Sequence, residues 1–437
     1  MLGLIETLYL TNRAFVTDEY DDCLDHIDQH ELPLTTHRFE SGTEIWDSWL
    51  VPPKWSVAHG YLEDADGNRF IEYGDHPLHL IAYSESFEGW VDRETLLDHT
   101  YTHPELSSAI PWHFRLNYRP WESDWGFCAA QETVDALTDE KYYVSIDTTT
   151  ESGAMTVAEH TIEGERDETI VLAAHLDHTG MANDDLAGVA AGIECLKTLA
   201  EWDDRRYNYT LLVVPEMLGT AAFLDRYRER VADFEYCMFL EMPGNDNRLL
   251  YQETFTGDTR LDRIATTVLD HRDIEGERDE SRAQIGNDEL IFEGPGFEIP
   301  TLSLSRYPYP EYHTHLDDPS ILEPDRLDSY VDVVLDICRV LERDFVPTRT
   351  FDGIPSLANP KYDLYLDPGQ VALDSSDGAD EALATFQDRL FRYLDGNHSV
   401  LDIADRFGLP FDIVHDHLRA FHRKGLVTVT DPMDATD

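Results

Sequence analysis

The middle of the chain alternates two textures. The runs "ETIVLAAHL" (168–176), "YNYTLLVVPE" (207–216), "EYCMFLEMPG" (235–244) and "IPTLSLSR" (299–306) are almost continuously apolar and read as strands buried on both faces. Between and after them, "DDLAGVAAGIECLKTLAEW", "GTAAFLDRYRERV", "RLDRIATTVLDHR" and "DRLDSYVDVVLDICRVLERDF" repeat apolar residues at i, i+3 and i+4, the period of a helix lying on a core. "YYVSIDTTT" and "MTVAEHTI" add two strands ahead of the first run. Strands alternating with helices predict an α/β fold, a doubly wound and mostly parallel sheet.

The flanks differ. Residues 1–45 read as a helix and a polar extended segment that belong with the α/β part at 126–346. Residues 46–125 carry short alternating runs broken by turn signals. "DADGN" between "AHGYLE" and "RFIEYG" is a hairpin signal, and the stretch reads as a small β-rich insert. Beyond 346 comes a proline-containing connector, "VPTRTFDGIPSLANPKYDLYLDPGQ". The pattern then runs helix, helix, Gly-Leu-Pro turn, helix and strand, so 347–437 reads as a linker and a winged helix-turn-helix.

Composition changes the picture in two ways. With 88 acidic and 33 basic residues the formal charge is -55, and only Lys54, Lys141, Lys197, Lys361 and Lys424 are lysine. Such a surface suits molar salt, where the Debye length falls to roughly 3 Å; it reads as halophilic. The charge argues against nucleic acid as a general partner, and a hydrophobic share of 42% argues against disorder. No apolar run approaches the roughly 20 residues of a membrane span, and the N-terminus lacks a basic leader, so a cytoplasmic protein is expected. Five scattered cysteines form neither a disulfide framework nor a thiolate zinc site.

Acidic clusters are commonplace in such a chain, so position matters more than number. His175, Asp177 and His178 follow the first apolar run directly, Glu216 the second and Glu241 the third. His313 and His315 lie just beyond the fourth, while Asp184 and Asp185 open the first helix. In a parallel sheet these strand ends share one edge. Imidazole and carboxylate together suit zinc, and a spare glutamate can take a proton from water.

These residues resemble the zinc aminopeptidase fold of co-catalytic metallopeptidases, in "HLD" (His175–Asp177), "ANDD" (Ala182–Asp185), "PE" (Pro215, Glu216), "FLEM" (around Glu241) and "EYHT" (Glu311–Thr314). "DHTGMANDDLAG", "GNDELIFEGPGFEIP" and "YPEYHTHLDD" look like a subfamily of aminopeptidase-like proteins with an inserted β domain and a C-terminal winged helix. The resemblance implies one or two zinc ions held by His175 or His178, Asp184, Glu241 and His313, with Asp177 steadying His175. Where the broad family has two adjacent glutamates, this chain has only Glu216. Either Glu216 is the base and a second metal is weak or absent, or it is a ligand and the base lies elsewhere, with Glu289 the spare. Tyr312 and Arg306 are candidates for an oxyanion or a substrate carboxylate. The implied activity is hydrolysis of a peptide or small amide bond. The alternatives are a deacylase on the same site, or an inactive scaffold using the winged helix. That module would serve protein contact or homo-oligomerisation rather than DNA.

Overall fold

The computed structural model describes residues 1–272, 276–366 and 379–434. They form two compact units, the larger built on 1–261 and 276–332, the smaller on 333–434 with the helix end 262–272.

The larger unit is mixed α/β. Its main sheet has eight strands: β1 (Thr35–Glu40), β2 (Ala154–Ile162), β3 (Thr169–His175), β4 (Asn208–Val214), β5 (Phe234–Leu240), β6 (Leu249–Gln252), β7 (Gly276–Asp279) and β8 (Thr301–Ser305). Their order is β1-β2-β4-β3-β5-β8-β6-β7. The four strands in the middle, β4, β3, β5 and β8, are mutually parallel. They are the four apolar runs, and they are buried almost throughout because both faces are covered. Antiparallel joins occur only outside them, at β1/β2, β2/β4 and β8/β6.

Helix α1 (Gly188–Ala200) follows β3, and α2 (Leu218–Arg226) follows β4. Phe223 and Leu224 of α2 pack with Val171, Leu212 and Phe239 of the sheet in one core. Gly188 starts α1 in close quarters: a Cβ there would stand 2.4 Å from the Leu240 carbonyl and 2.3 Å from the Asp185 carboxylate. Because the chain leaves β3 towards β4 on one side and later returns to β5 on the other, the strand order reverses at β3. Its carboxyl end is therefore where a crevice opens.

A second, antiparallel sheet has the order 69–72, 54–63, 141–151, 87–92. The "DADGN" hairpin forms its first pair, with Asp64 accepting hydrogen bonds from the Asp66 and Asn68 amides. The sheet takes one strand, Lys141–Glu151, from beyond residue 125. Tyr142, Val144 and Ile146 on that strand share a core with Leu62, Ile71 and Val91.

In the smaller unit, helices Ala379–Arg389, Val400–Phe407 and Phe411–Arg423 are followed by strand Val427–Thr430. That strand pairs with Val346–Arg349, which precedes the helices, and not with a strand following it. Residues 367–378, the end of the connector, lie outside the described residues. Among the described residues no helix is long and apolar enough to cross a membrane.

Candidate metal centre

Strand β3 ends in His175, and the loop after it is buried from Leu176 to Ala187. A buried loop must find partners for its backbone polar groups. Arg13, itself 0% exposed, donates to the carbonyls of Leu176, His178 and Met181, and also to those of Leu8 and Tyr9. Asp317 receives the amides of Ala182, Asn183 and Asp184, and the Tyr309 hydroxyl donates to it at 2.7 Å. Held from two sides, the loop presents Asp184.

Three imidazoles converge on that carboxylate. His175 Nε2 lies 3.4 Å from Oδ1, His178 Nδ1 3.0 Å from Oδ2, and His313 Nε2 3.2 Å from Oδ2. His175, His178 and Asp184 are at most 2% exposed, yet both His175 nitrogens, His178 Nδ1, His313 Nε2 and Asp184 Oδ2 have no hydrogen-bond partner. His313 adopts a left-handed backbone, φ 56°, as do Met217 and Met242, the residues after Glu216 and Glu241. Such conformations in non-glycine residues gather at functional sites.

Glu216 stands beside this group. Tyr118 O–H donates to its Oε2 at 2.6 Å, and His178 Nε2 lies 3.3 Å from the same oxygen. The Glu216 amide donates to Asp177 Oδ1 at 2.7 Å. Glu216 is thus not spent on capping α2, which has no side-chain cap. Asp177 Oδ1 is 3.8 Å from His175 Nδ1, beyond hydrogen-bond reach, so its main contact is with the Glu216 backbone and not with the His175 ring. Glu241 is 1% exposed, and neither of its carboxylate oxygens has a partner. Glu289 is otherwise engaged: both its oxygens accept from the Asn287 amide, and Arg282 pairs with it at 3.1 Å. Asp288 accepts from the Met217 amide, tying its loop to the end of β4.

Charge is unbalanced here. Burial would push Asp184 upward, but His178, His175 and His313 hold its carboxyl well below the usual range. Burial would likewise lower His178, but Asp184, Glu216 and Asp177 raise it well above the ordinary imidazole value. Against burial, His178, His175 and Tyr118 bring Glu216 down to about 2. Asp185 and Glu241 go the other way: burial, and then the neighbouring carboxylates, raise both far above the usual range. A buried surplus of carboxyl groups with orphaned imidazole nitrogens calls for a cation.

Zinc fits the donor set. Bonds of roughly 2.0–2.2 Å at tetrahedral angles place ligand atoms about 3.3–3.6 Å apart, and the three imidazole–Asp184 separations are 3.0, 3.2 and 3.4 Å. In each of two groups, His175/His178/Asp184 and Asp177/His178/Glu216, the ligand atoms lie within 4.8 Å of one another; His313 belongs to neither.

The wall of the site comes from the segment 110–118. Its backbone pairs with the His313 loop through Trp112 N to His313 O and His315 N to Ile110 O. The Trp112 ring lies 4.1 Å from the His178 ring and 4.9 Å from that of His313. Tyr312 stacks on His313 at 3.8 Å. The placement of Arg306 departs from its expected role at a substrate: it is buried and donates to the carbonyls of Pro243, Asn247 and Arg326. His315 turns away as well, accepting from the Ile110 amide. Tyr118, Trp112 and Arg13 lie in no motif quoted for the site, and Asp317, though inside "YPEYHTHLDD", had no role assigned to it; Tyr118 and Glu216, for example, are 98 positions apart.

The family model described as "Domain of unknown function (DUF4910)" matches residues 2–344. A Clostridium acetobutylicum protein whose name joins polysaccharide biosynthesis to an aminopeptidase-like domain is 29% identical over 430 residues, spanning 97% of this chain and 95% of its own. A crystal structure from the same organism, described as that of a peptidase, superposes with a TM-score of 0.85 at 27% identity, covering 98% of this chain and 96% of that one. A zinc aminopeptidase from Bacillus subtilis gives 0.55 at 14% identity, over 77% of this chain and 93% of its own. The main sheet and its helices thus have the zinc aminopeptidase fold.

Proposed function

The chain belongs to the DUF4910 family, and on that footing we propose that it is a zinc-dependent, aminopeptidase-like amide hydrolase. The observation carrying this reading is the buried Asp184 carboxylate with three imidazoles facing it, the ring nitrogens on that side otherwise unpartnered. His175, His178 and Asp184 would hold the ion, with His313, which faces Asp184 Oδ2, and Glu241 in reserve. Zinc, when bound, supplies Lewis acidity to a carbonyl and eases the deprotonation of water.

The chain's own groups do the rest. Glu216 is the general base: Oε2 is held by Tyr118 and His178, which leaves Oε1 to accept a proton and return it to the leaving amine. Tyr312, stacked on His313, lies where it can steady an oxyanion. Trp112 and Tyr118 limit water on that side, which strengthens every charge interaction within. The surplus of carboxyl groups favours a substrate bearing a free amine over one bearing a carboxylate.

A second reading keeps the site and changes the substrate. The name of the C. acetobutylicum relative joins an aminopeptidase-like domain to polysaccharide biosynthesis, which favours an amide on an amino sugar or a related conjugate. A panel of aminoacyl arylamides run against N-acetyl amino sugars in molar salt separates the two.

The C-terminal unit reads as a winged-helix module for protein contact. On helix Phe411–Arg423 the acids Asp412 and Asp416 pair with Arg343, leaving Arg419, Arg423 and Lys424 as a short basic end, too little for a DNA-reading surface on so acidic a chain. Glu216→Gln tests the catalytic reading: turnover falls at least about 1000-fold while bound zinc stays near wild type. Unchanged turnover contradicts the role of base.

A further inference from the structure

We propose that the centre takes a single metal ion with His178 among its ligands, and that Glu216 stays outside the ligand set as the hydrogen-bond partner of that histidine. This rests on the metal-dependent reading above and sharpens it.

Among the described residues, two sets of three ligand atoms come together, His175/His178/Asp184 and Asp177/His178/Glu216. His178 belongs to both. Two ions could use these two sets together only if the His178 imidazole served as a bridge; a second ion outside them would have to share Asp184, whose Oδ1 faces His175 and whose Oδ2 faces His178 and His313. The two sets also differ in what their atoms already do. In the second, Asp177 Oδ1 accepts the Glu216 amide at 2.7 Å, and Glu216 Oε2 accepts the Tyr118 hydroxyl at 2.6 Å with His178 Nε2 at 3.3 Å. In the first, His175 Nδ1 and Nε2, His178 Nδ1 and Asp184 Oδ2 are buried and have no hydrogen-bond partner. The first set is open to a cation and the second is its support.

The two nitrogens of His178 divide accordingly. Nδ1 faces Asp184 at 3.0 Å, and Nε2 faces Glu216. An imidazole that ligates a metal through one nitrogen characteristically donates its other N–H to a carboxylate, which fixes the ring and its tautomer. Glu216 has that position, and Tyr118 on the same oxygen fixes the carboxylate in turn. The His178 ring also stands between Asp184 and Glu216, so these two carboxylates do not share an ion while it is there. Its place is secured by Trp112 against the ring and by Arg13 Nη2 on the His178 carbonyl at 2.5 Å. Pro215 precedes and Met217 follows Glu216, so the end of β4 itself supplies a single carboxylate.

The test is metal stoichiometry on the full chain in molar salt. Protein saturated with zinc and freed of excess by gel filtration is analysed for zinc per chain, with circular dichroism confirming the fold. The expected result is one. Two tightly held ions overturn the single-ion inference while leaving the metal-dependent reading intact; none overturns both. A pair of variants then assigns the roles. Against a competing chelator, His178→Ala loses its zinc under conditions where Glu216→Gln retains it, the latter weakened by no more than the 10–100-fold typical of a lost supporting partner. If Glu216→Gln empties while His178→Ala stays loaded, Glu216 is a ligand and the assignment is wrong.

Discussion

Arg13 is the side chain on which the geometry of the centre leans most heavily. Its guanidinium is fully buried, and it supplies donors to five carbonyls, three of them in the loop between His175 and Asp184. Burial lowers its pKa, partly offset by Cys23, Asp177 and Asp317. Removing one buried donor strands every acceptor it served. Arg13→Met is therefore expected to cost at least about 3 kcal/mol in urea unfolding and to weaken zinc binding along with it; a change under about 1 kcal/mol contradicts the clamp. Nothing in "LTNRAFV" announces this, because its partners in the loop are 163 to 168 positions away and only the fold brings them together. His175, His178, Asp184, Glu216, Glu241 and His313 were legible for the opposite reason. Each is tied to a buried apolar run whose end the sequence marks, and parallel strands put those ends on one edge. Tyr118 and Trp112 reach the same place on an irregular segment with no period to follow.

Strands and helices were easier to find than their partners. Apolar periodicity marks Lys141–Glu151 as a strand but does not say which sheet it joins. It crosses to the small sheet because its inward positions, Tyr142, Val144 and Ile146, match Leu62, Ile71 and Val91 there. The strand after helix Phe411–Arg423 likewise pairs back to Val346–Arg349, a pairing that no turn signal announces. That helix carries its own pH dependence. His417 sits between Phe386 and Phe421, its Nε2 unpartnered, and burial lowers it from 6.5 to about 4. The unfolded chain takes up a proton that the folded helix refuses. The stability this histidine permits is whole above pH 6.5 and is lost as the pH falls towards 4, about 3 kcal/mol in all. His417→Phe should flatten that part of the acid limb in unfolding experiments across this window. An unaltered limb would show that the histidine is hydrated or paired in solution.

A formal charge of -55 on 437 residues acts on every element together. The described acids that pair with arginine do so largely at the surface, where each ion pair is worth little, so screening by salt is expected to relieve the self-repulsion. The melting temperature is expected to rise by at least about 5 °C between about 0.1 M and about 2 M KCl. A flat or falling dependence would mean that the charge is tolerated without screening. Assays are therefore best run in molar salt, since a fold loosened by low salt would lose metal binding for reasons unrelated to the site.

Reactivation in molar salt decides whether the chain is a zinc-dependent amide hydrolase. Protein stripped by a chelator and dialysed is offered a panel of aminoacyl arylamides and N-acetyl amino sugars, with and without added zinc. At least one amide is expected to be cleaved by the wild-type chain, with cleavage lost on stripping, restored by zinc, and not recovered by Glu216→Gln. Folded protein that binds zinc at His175, His178 and Asp184 and still cleaves no amide in the panel, or that cleaves one equally well when stripped, would contradict it.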